Sequence, residues 1–197
     1  MIAYLQGRIT LKTPTHLYIE CSGVGYLVHI SLHTFAEVEK LEQAKIYTYL
    51  HINEQAHTLY GFHSEEEKNM FVMLISVNGV GPNTARLVLS SLSTKEVQRA
   101  IINGEVSLIQ KIKGIGPKTA QRMILELKDK LHKMPVADMG YDLQGIKVSS
   151  GADEAMAALL MLGFQKVQAE KALSKVQKDH PTVQGVEDLI KLSLKNL

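Results

Sequence analysis

Val77-Asn78-Gly79-Val80-Gly81-Pro82-Asn83-Thr84-Ala85 has a second copy thirty-five positions on, Ile112-Lys113-Gly114-Ile115-Gly116-Pro117-Lys118-Thr119-Ala120. Gly, Gly, Pro, Thr and Ala recur in register, and an apolar residue separates the glycines both times. Each copy lies between apolar segments with helical spacing. Met70 to Val77 and Thr84 to Leu92 flank the first; Leu108 to Ile112 and Thr119 to Leu131 flank the second. The pattern predicts helix, tight hairpin, helix, twice over. Pro82 and Pro117 then fall near the first helical position, where a missing N–H costs nothing.

A unit of this kind can hold a phosphate. Glycines let backbone approach an anion closely, and their N–H groups join the unpaired N–H groups that open the second helix. The positive end of that helix adds its dipole. One Gly-x-Gly is most often an ordinary helix-ending turn, but two in register argue for a shared task. The candidate contacts in the first copy are Gly79, Val80, Gly81, Asn83 and Thr84. In the second they are Gly114, Ile115, Gly116, Lys118, Thr119 and Arg122. Lys118 and Arg122, four apart, share one helical face, and their equivalents in the first copy are Asn83 and Leu87. Lys111 and Lys113 precede the second hairpin and add to its field; the plain alternative for all these cations is a solvated surface. Nucleotide-binding loops do not fit. Pro117 and Lys111 break the P-loop spacing, and no strand pattern precedes either glycine pair.

The overall charge of +2 becomes informative when divided. Residues 1–63 carry 4 basic and 5 acidic side chains, 64–133 carry 11 and 7, and 134–197 carry 7 and 8. The positive excess lies on the doubled hairpin, as a nucleic-acid face requires. Cys21 is the only cysteine, so no internal disulfide can form, in keeping with a reducing cytosol. No basic-then-apolar leader opens the chain and no apolar run approaches ~20 residues, so the expectation is a soluble, cytoplasmic protein.

Three regions follow from the patterning, giving an α+β, multidomain expectation. Residues 1–63 are β-like: Tyr18, Ile19, Tyr26, Val28, Ile30, Ile46, Tyr47, Tyr49 and Ile52 supply branched and aromatic positions. Strands are predicted at Tyr18–Cys21, Gly25–Ile30, Lys45–Ile52 and Thr58–Phe62, with helical character over 32–42 and a polar tip at Asn53-Glu54-Gln55-Ala56. Gly23-Val24-Gly25 is read as a tight turn and not a ligand loop. Residues 64–133 open on Ser64-Glu65-Glu66-Glu67, read as a capping box; Ser93-Thr94-Lys95-Glu96 is a second, and Gly104 a helix stop. Leu74, Val77, Leu87, Leu89, Ile101, Leu108, Ile112, Ile124, Leu125 and Leu131 are expected to share one core. Residues 134–150, interrupted by Pro135, Gly140, Gly145, Ser149 and Ser150, are read as a linker. Residues 151–197 hold three short helical patterns, the first ended by Leu162-Gly163-Phe164. That turn resembles those of ubiquitin-associated-type bundles, and Leu162 and Phe164 are candidates to face a partner.

The hairpins resemble the tandem helix-hairpin-helix of DNA-binding proteins, and with the flanking regions the whole chain resembles the RuvA family, bacterial proteins that bind Holliday junctions. The resemblance implies an OB-like barrel over 1–63, a tandem helix-hairpin-helix domain over 64–133 and a three-helix, ubiquitin-associated-like bundle over 151–197. It further implies a homotetramer, or two stacked tetramers making an octamer, on an open four-way junction. Its other implied partners are a RuvB-type hexameric ATPase docked on the bundle and a RuvC-type resolvase, in recombination, repair and the SOS response. The family carries two acids at the barrel tip as a pin at the junction centre. This chain has Glu54 but Gln55 there, and Asn83 stands where the family often has Lys. No cofactor is implied for this chain; ATP and magnesium belong to the motor.

No catalytic constellation is visible. The eight histidines (16, 29, 33, 51, 57, 63, 132, 180) show no metal-ligand spacing, and Asp129 lies in a Lys-rich helix end, unlike a glycosylase acid. The rival readings are a helix-hairpin-helix nuclease or glycosylase, and a general single-strand or duplex scaffold.

Overall fold

Branched and aromatic residues at alternating positions build five strands: β1 (Tyr4–Lys12), β2 (His16–Cys21), β3 (Val24–Ile30), β4 (Gln43–Ile52) and β5 (His57–Phe62). In the computed structural model, which describes residues 1–133, 151–180, 183 and 185–196, they close into a barrel in the order β1-β2-β3-β5-β4. All neighbours are antiparallel except β3 and β5. Leu5, Ile9, Leu17, Ile19, Val28, Ile30 and Ile46 fill the interior. Ser22 and Gly23, at φ of 50° and 85°, make the two-residue turn from β2 to β3; of Gly23-Val24-Gly25 only Gly23 lies in the turn, because Val24 and Gly25 already pair with Cys21 and Glu20 as the start of β3. The helical stretch between β3 and β4 is α1 (Leu32–Val38), capped by Ser31. The sequence pattern predicts four of these strands to within two residues and does not predict β1.

Five helices follow: α2 (Glu65–Ile75), α3 (Pro82–Ser91), α4 (Thr94–Asn103), α5 (Val106–Gln110) and α6 (Pro117–Lys133). The Ser93–Glu96 capping box has both its bonds, and Gly104 ends α4 at φ 72°. The Ser64 box is corrected by half. Ser64 Oγ accepts from the Glu67 amide at 3.1 Å, but the Glu67 carboxylate turns away to α1. One core runs through the helices and holds Leu74, Val77, Leu89, Ile101, Ile112 and Leu131, with Leu108 and Ile124 packed on its edge. Leu87 (43% exposed) and Leu125 (70%) are not in it; they stand on outward helix faces. The core does not stop at Ser64. Phe71 of α2 is fully buried against Phe62 and Tyr60 of β5 and Tyr49 of β4, with ring centroids 4.9, 5.1 and 5.6 Å away.

Residues Met1–Tyr141 and Asp142–Leu197 form separate units. In the second, α7 (Gly151–Met161), α8 (Lys166–Asp179) and α9 (Val186–Leu194) surround Ala155, Leu159, Ala169, Leu173, Val176 and Leu189. The stretch read as a linker, 134–150, lies outside the described residues.

Candidate nucleic-acid interface

The two copies fold alike, bond for bond. In the first, Val80 N–H donates to Val77 O (3.0 Å), and Ala85 N–H to Gly81 O (2.9 Å). In the second, Ile115 N–H donates to Ile112 O (3.1 Å), and Ala120 N–H to Gly116 O (2.9 Å). The first glycine of each pair takes a left-handed conformation, φ 90° at Gly79 and 91° at Gly114, which only glycine adopts without strain. Val80 and Ile115 are buried at 4% and 6% exposure and pin each loop to the core. Their amides are already used in the turn. That leaves the glycine edge and the opening N–H groups of α3 and α6 as the donors each hairpin turns outward.

The second glycine of each pair carries the chemical argument. Gly81 caps α3 at φ −82°, ψ 170°, a conformation open to any residue. A Cβ added there, or at Gly116, would meet nothing within 4 Å. Neither strain nor crowding asks for glycine at these places. What its absence of side chain does is leave the amides uncovered toward solvent, which suits a bulky anion.

Side chains add to this unequally. Lys118 is exposed and, among the described residues, without an ionic partner; Asn83 is its exposed counterpart, and Lys111 and Lys113 are exposed before the second hairpin. Arg122 is directed elsewhere: Nη1 donates to Asn78 O of the first hairpin at 3.3 Å, and Nε lies 4.0 Å from Glu126 Oε1. It thereby joins the two hairpins. Lys130 reaches Ser76 Oγ (2.6 Å) at the end of α2, where a cation suits the helix dipole. Among the described residues no group of three or more His, Cys, Asp or Glu could hold a metal, and no helix is long and apolar enough to cross a membrane.

Glu54 and Gln55 are exposed at the tip between β4 and β5. The tip is shaped by Asn53, whose Oδ1 accepts from the Gln55 and Ala56 amides at 3.0 and 2.7 Å. Asn at the first place of a four-residue tip is a turn signal readable in the sequence. Where the hairpin helices meet the barrel, Arg86 Nη1 donates to Thr15 O at 2.9 Å. His29 is held below its ordinary value by burial first, then by Arg86 and His16. In the second unit, Gly163 (φ 95°) ends the first helix; Leu162 is 59% exposed, while Phe164 is half-buried against the bundle core. Met161 and Val167, at 91% and 61%, are exposed beside them in sequence.

A closed five-stranded barrel carrying two matched, open-edged hairpins defines a tandem helix-hairpin-helix protein. Family models agree region by region: RuvA N terminal domain over residues 1–61, SAM-like helix-hairpin-helix tandem over 71–129, and RuvA C-terminal domain over 150–197. A Cytophaga hutchinsonii protein, Holliday junction branch migration complex subunit RuvA, is 47% identical over 197 residues, covering 99% of each chain. Proteins of the same name from Christiangramia forsetii and Flavobacterium psychrophilum are each 46% identical, covering all of both chains. The chain belongs to the RuvA family.

Proposed function

We propose that this protein is the non-catalytic subunit that binds four-way (Holliday) DNA junctions, holds them open and recruits a RuvB-type ATPase for branch migration. The observation that carries this reading is the pair of matched hairpins, each presenting a side-chain-free backbone edge at a helix start. Gly79, Gly81, Asn83 and Thr84 serve one phosphate run, and Gly114, Gly116, Lys118 and Thr119 a second. Val80 and Ile115 act from the core side of each loop. The chain works in the cytoplasm as a homotetramer, or two stacked tetramers, with the motor on the carboxy-terminal bundle near Leu162 and a RuvC-type resolvase as a further partner. ATP and magnesium act in the motor.

Phosphate contacts position a protein without reading bases, so affinity should be nearly the same for junctions of unrelated arm sequence. It should also fall steeply with salt, with a log–log slope of about −0.9 per phosphate neutralised. Anisotropy titrations at several salt concentrations check both; tight preference for one sequence, insensitive to salt, would remove the reading.

Glu54 and Gln55 at the tip form the pin. Two unit charges ~4 Å apart in water repel by only ~1 kcal/mol, and salt screens them beyond roughly 8 Å. One acid per subunit is therefore a modest barrier that symmetry multiplies at the junction centre. Glu54→Gln should tighten linear duplex binding more than junction binding at low salt, and Gln55→Asp should shift selectivity the other way. Unchanged selectivity in both variants would make Glu54 a turn residue only.

A further inference from the structure

Glu67 is 1% exposed, and no cation lies against it among the described residues. Its Oε1 accepts from Ser31 Oγ at 2.5 Å and its Oε2 from Thr34 Oγ1 at 2.7 Å, and both hydroxyl residues are fully buried. The cage is closed further. Ser31 Oγ accepts from the Thr34 amide (3.0 Å), Thr34 Oγ1 from the His63 amide (3.1 Å), and Ser64 Oγ from the Glu67 amide (3.1 Å). Ser31 caps the barrel's α1, Thr34 lies within it and Glu67 belongs to the first turn of α2, so the carboxylate lies across the seam between barrel and hairpins.

The rest of that seam is of a different kind. Phe71 packs with tilted ring contacts on Tyr49, Tyr60 and Phe62, and two exposed ties accompany it, Leu32 N–H to Ser90 Oγ (3.0 Å) and Arg86 to Thr15 O. Apolar rings accept small slides and rotations at little cost. A buried carboxyl group does not, because losing either hydroxyl leaves a polar oxygen unpaired away from water. Such a network adds little net stability over apolar packing, and what it adds is penalty against every other arrangement.

We infer that Glu67 is a positioning residue: its cage fixes the two hairpins in one orientation relative to the β4–β5 tip, and that fixed orientation gives selectivity for junctions over duplex. The selectivity half rests on the junction-binding reading; the orientation half does not.

The test uses the full chain with Ser31→Ala, Thr34→Val and Glu67→Leu together, which removes the network and keeps an apolar seam. Glu67→Gln is the conservative variant. Spin labels at Lys40→Cys and Lys128→Cys in a Cys21→Ser background, diluted with unlabelled chain, report the barrel-to-hairpin distance. The expected result is a broadened distance distribution in the triple variant. Its junction-over-duplex selectivity should fall about fivefold, with duplex affinity held within about twofold, and Glu67→Gln should keep both near wild type. A distribution as narrow as wild type, or a broadened one with unchanged selectivity, overturns the positioning role. If the triple variant does not fold, Thr34→Val alone is read by the same two measurements. Wild-type protein without junction preference would defeat the functional reading, whereas the distance distribution still decides the joint.

Discussion

Replacing Gly81 and Gly116 together by valine should weaken four-way-junction binding by about two orders of magnitude and leave the fold in place. Both positions face open space, and Gly81 has backbone angles that valine adopts readily. A valine at each would stand where a phosphate approaches the amides. A hydrogen bond to a charged group contributes about 1.5 kcal/mol or more, and one lost per hairpin gives roughly a hundredfold. Losing glycine at a helix cap costs stability of about 1 kcal/mol at each site, small enough for circular dichroism to show an intact fold. The loss should be the same for every arm sequence, because phosphates carry no base information. Gly79 and Gly114 are poorer choices: at φ near 90° any side chain strains the turn, so folding and binding would fail together. Wild-type affinity in a folded double variant would mean the glycine edges are not the contact.

Phe71→Ala should cost about 3–5 kcal/mol, the range for emptying a buried aromatic site. The ring is fully buried and touches three aromatic side chains of the barrel, so the cavity opens between barrel and hairpins. The chain has no tryptophan, and six of its seven tyrosines lie in residues 1–63, so tyrosine fluorescence reports the barrel. Helical circular dichroism reports the other elements. In urea the variant should lose stability by both probes together. A shift in the helical signal alone would show that the two regions do not share a core.

The hairpins were legible because their signal is local and doubled. Glycine, proline and helix-start residues act within a few positions, and the repeat removes chance. Capping at Ser93 and the stop at Gly104 were legible for the same reason. β1 was not: its register shifts between Ile9 and Leu11, so the alternation that marks a strand is broken where it would be read. Leu87 and Leu125 have helical spacing but face outward, a choice made by the neighbouring helices and invisible to periodicity. Glu67 sits in a capping-box position, yet partners 36 and 33 residues away take its carboxylate. Arg122 has the position of a phosphate ligand beside Lys118, and the first hairpin's carbonyl at Asn78 draws it across. In each case tertiary contact outweighed a local rule.

Two matched hairpins on each barrel should engage a branched DNA and not simply DNA. The measurement that tests this most directly is competition between a labelled four-way junction and unlabelled linear duplex of the same arm sequence, at physiological salt, with the full-length wild-type chain. A large excess of duplex should be needed to displace the junction, for every arm sequence tried. Displacement by an equal concentration of duplex strands would contradict it.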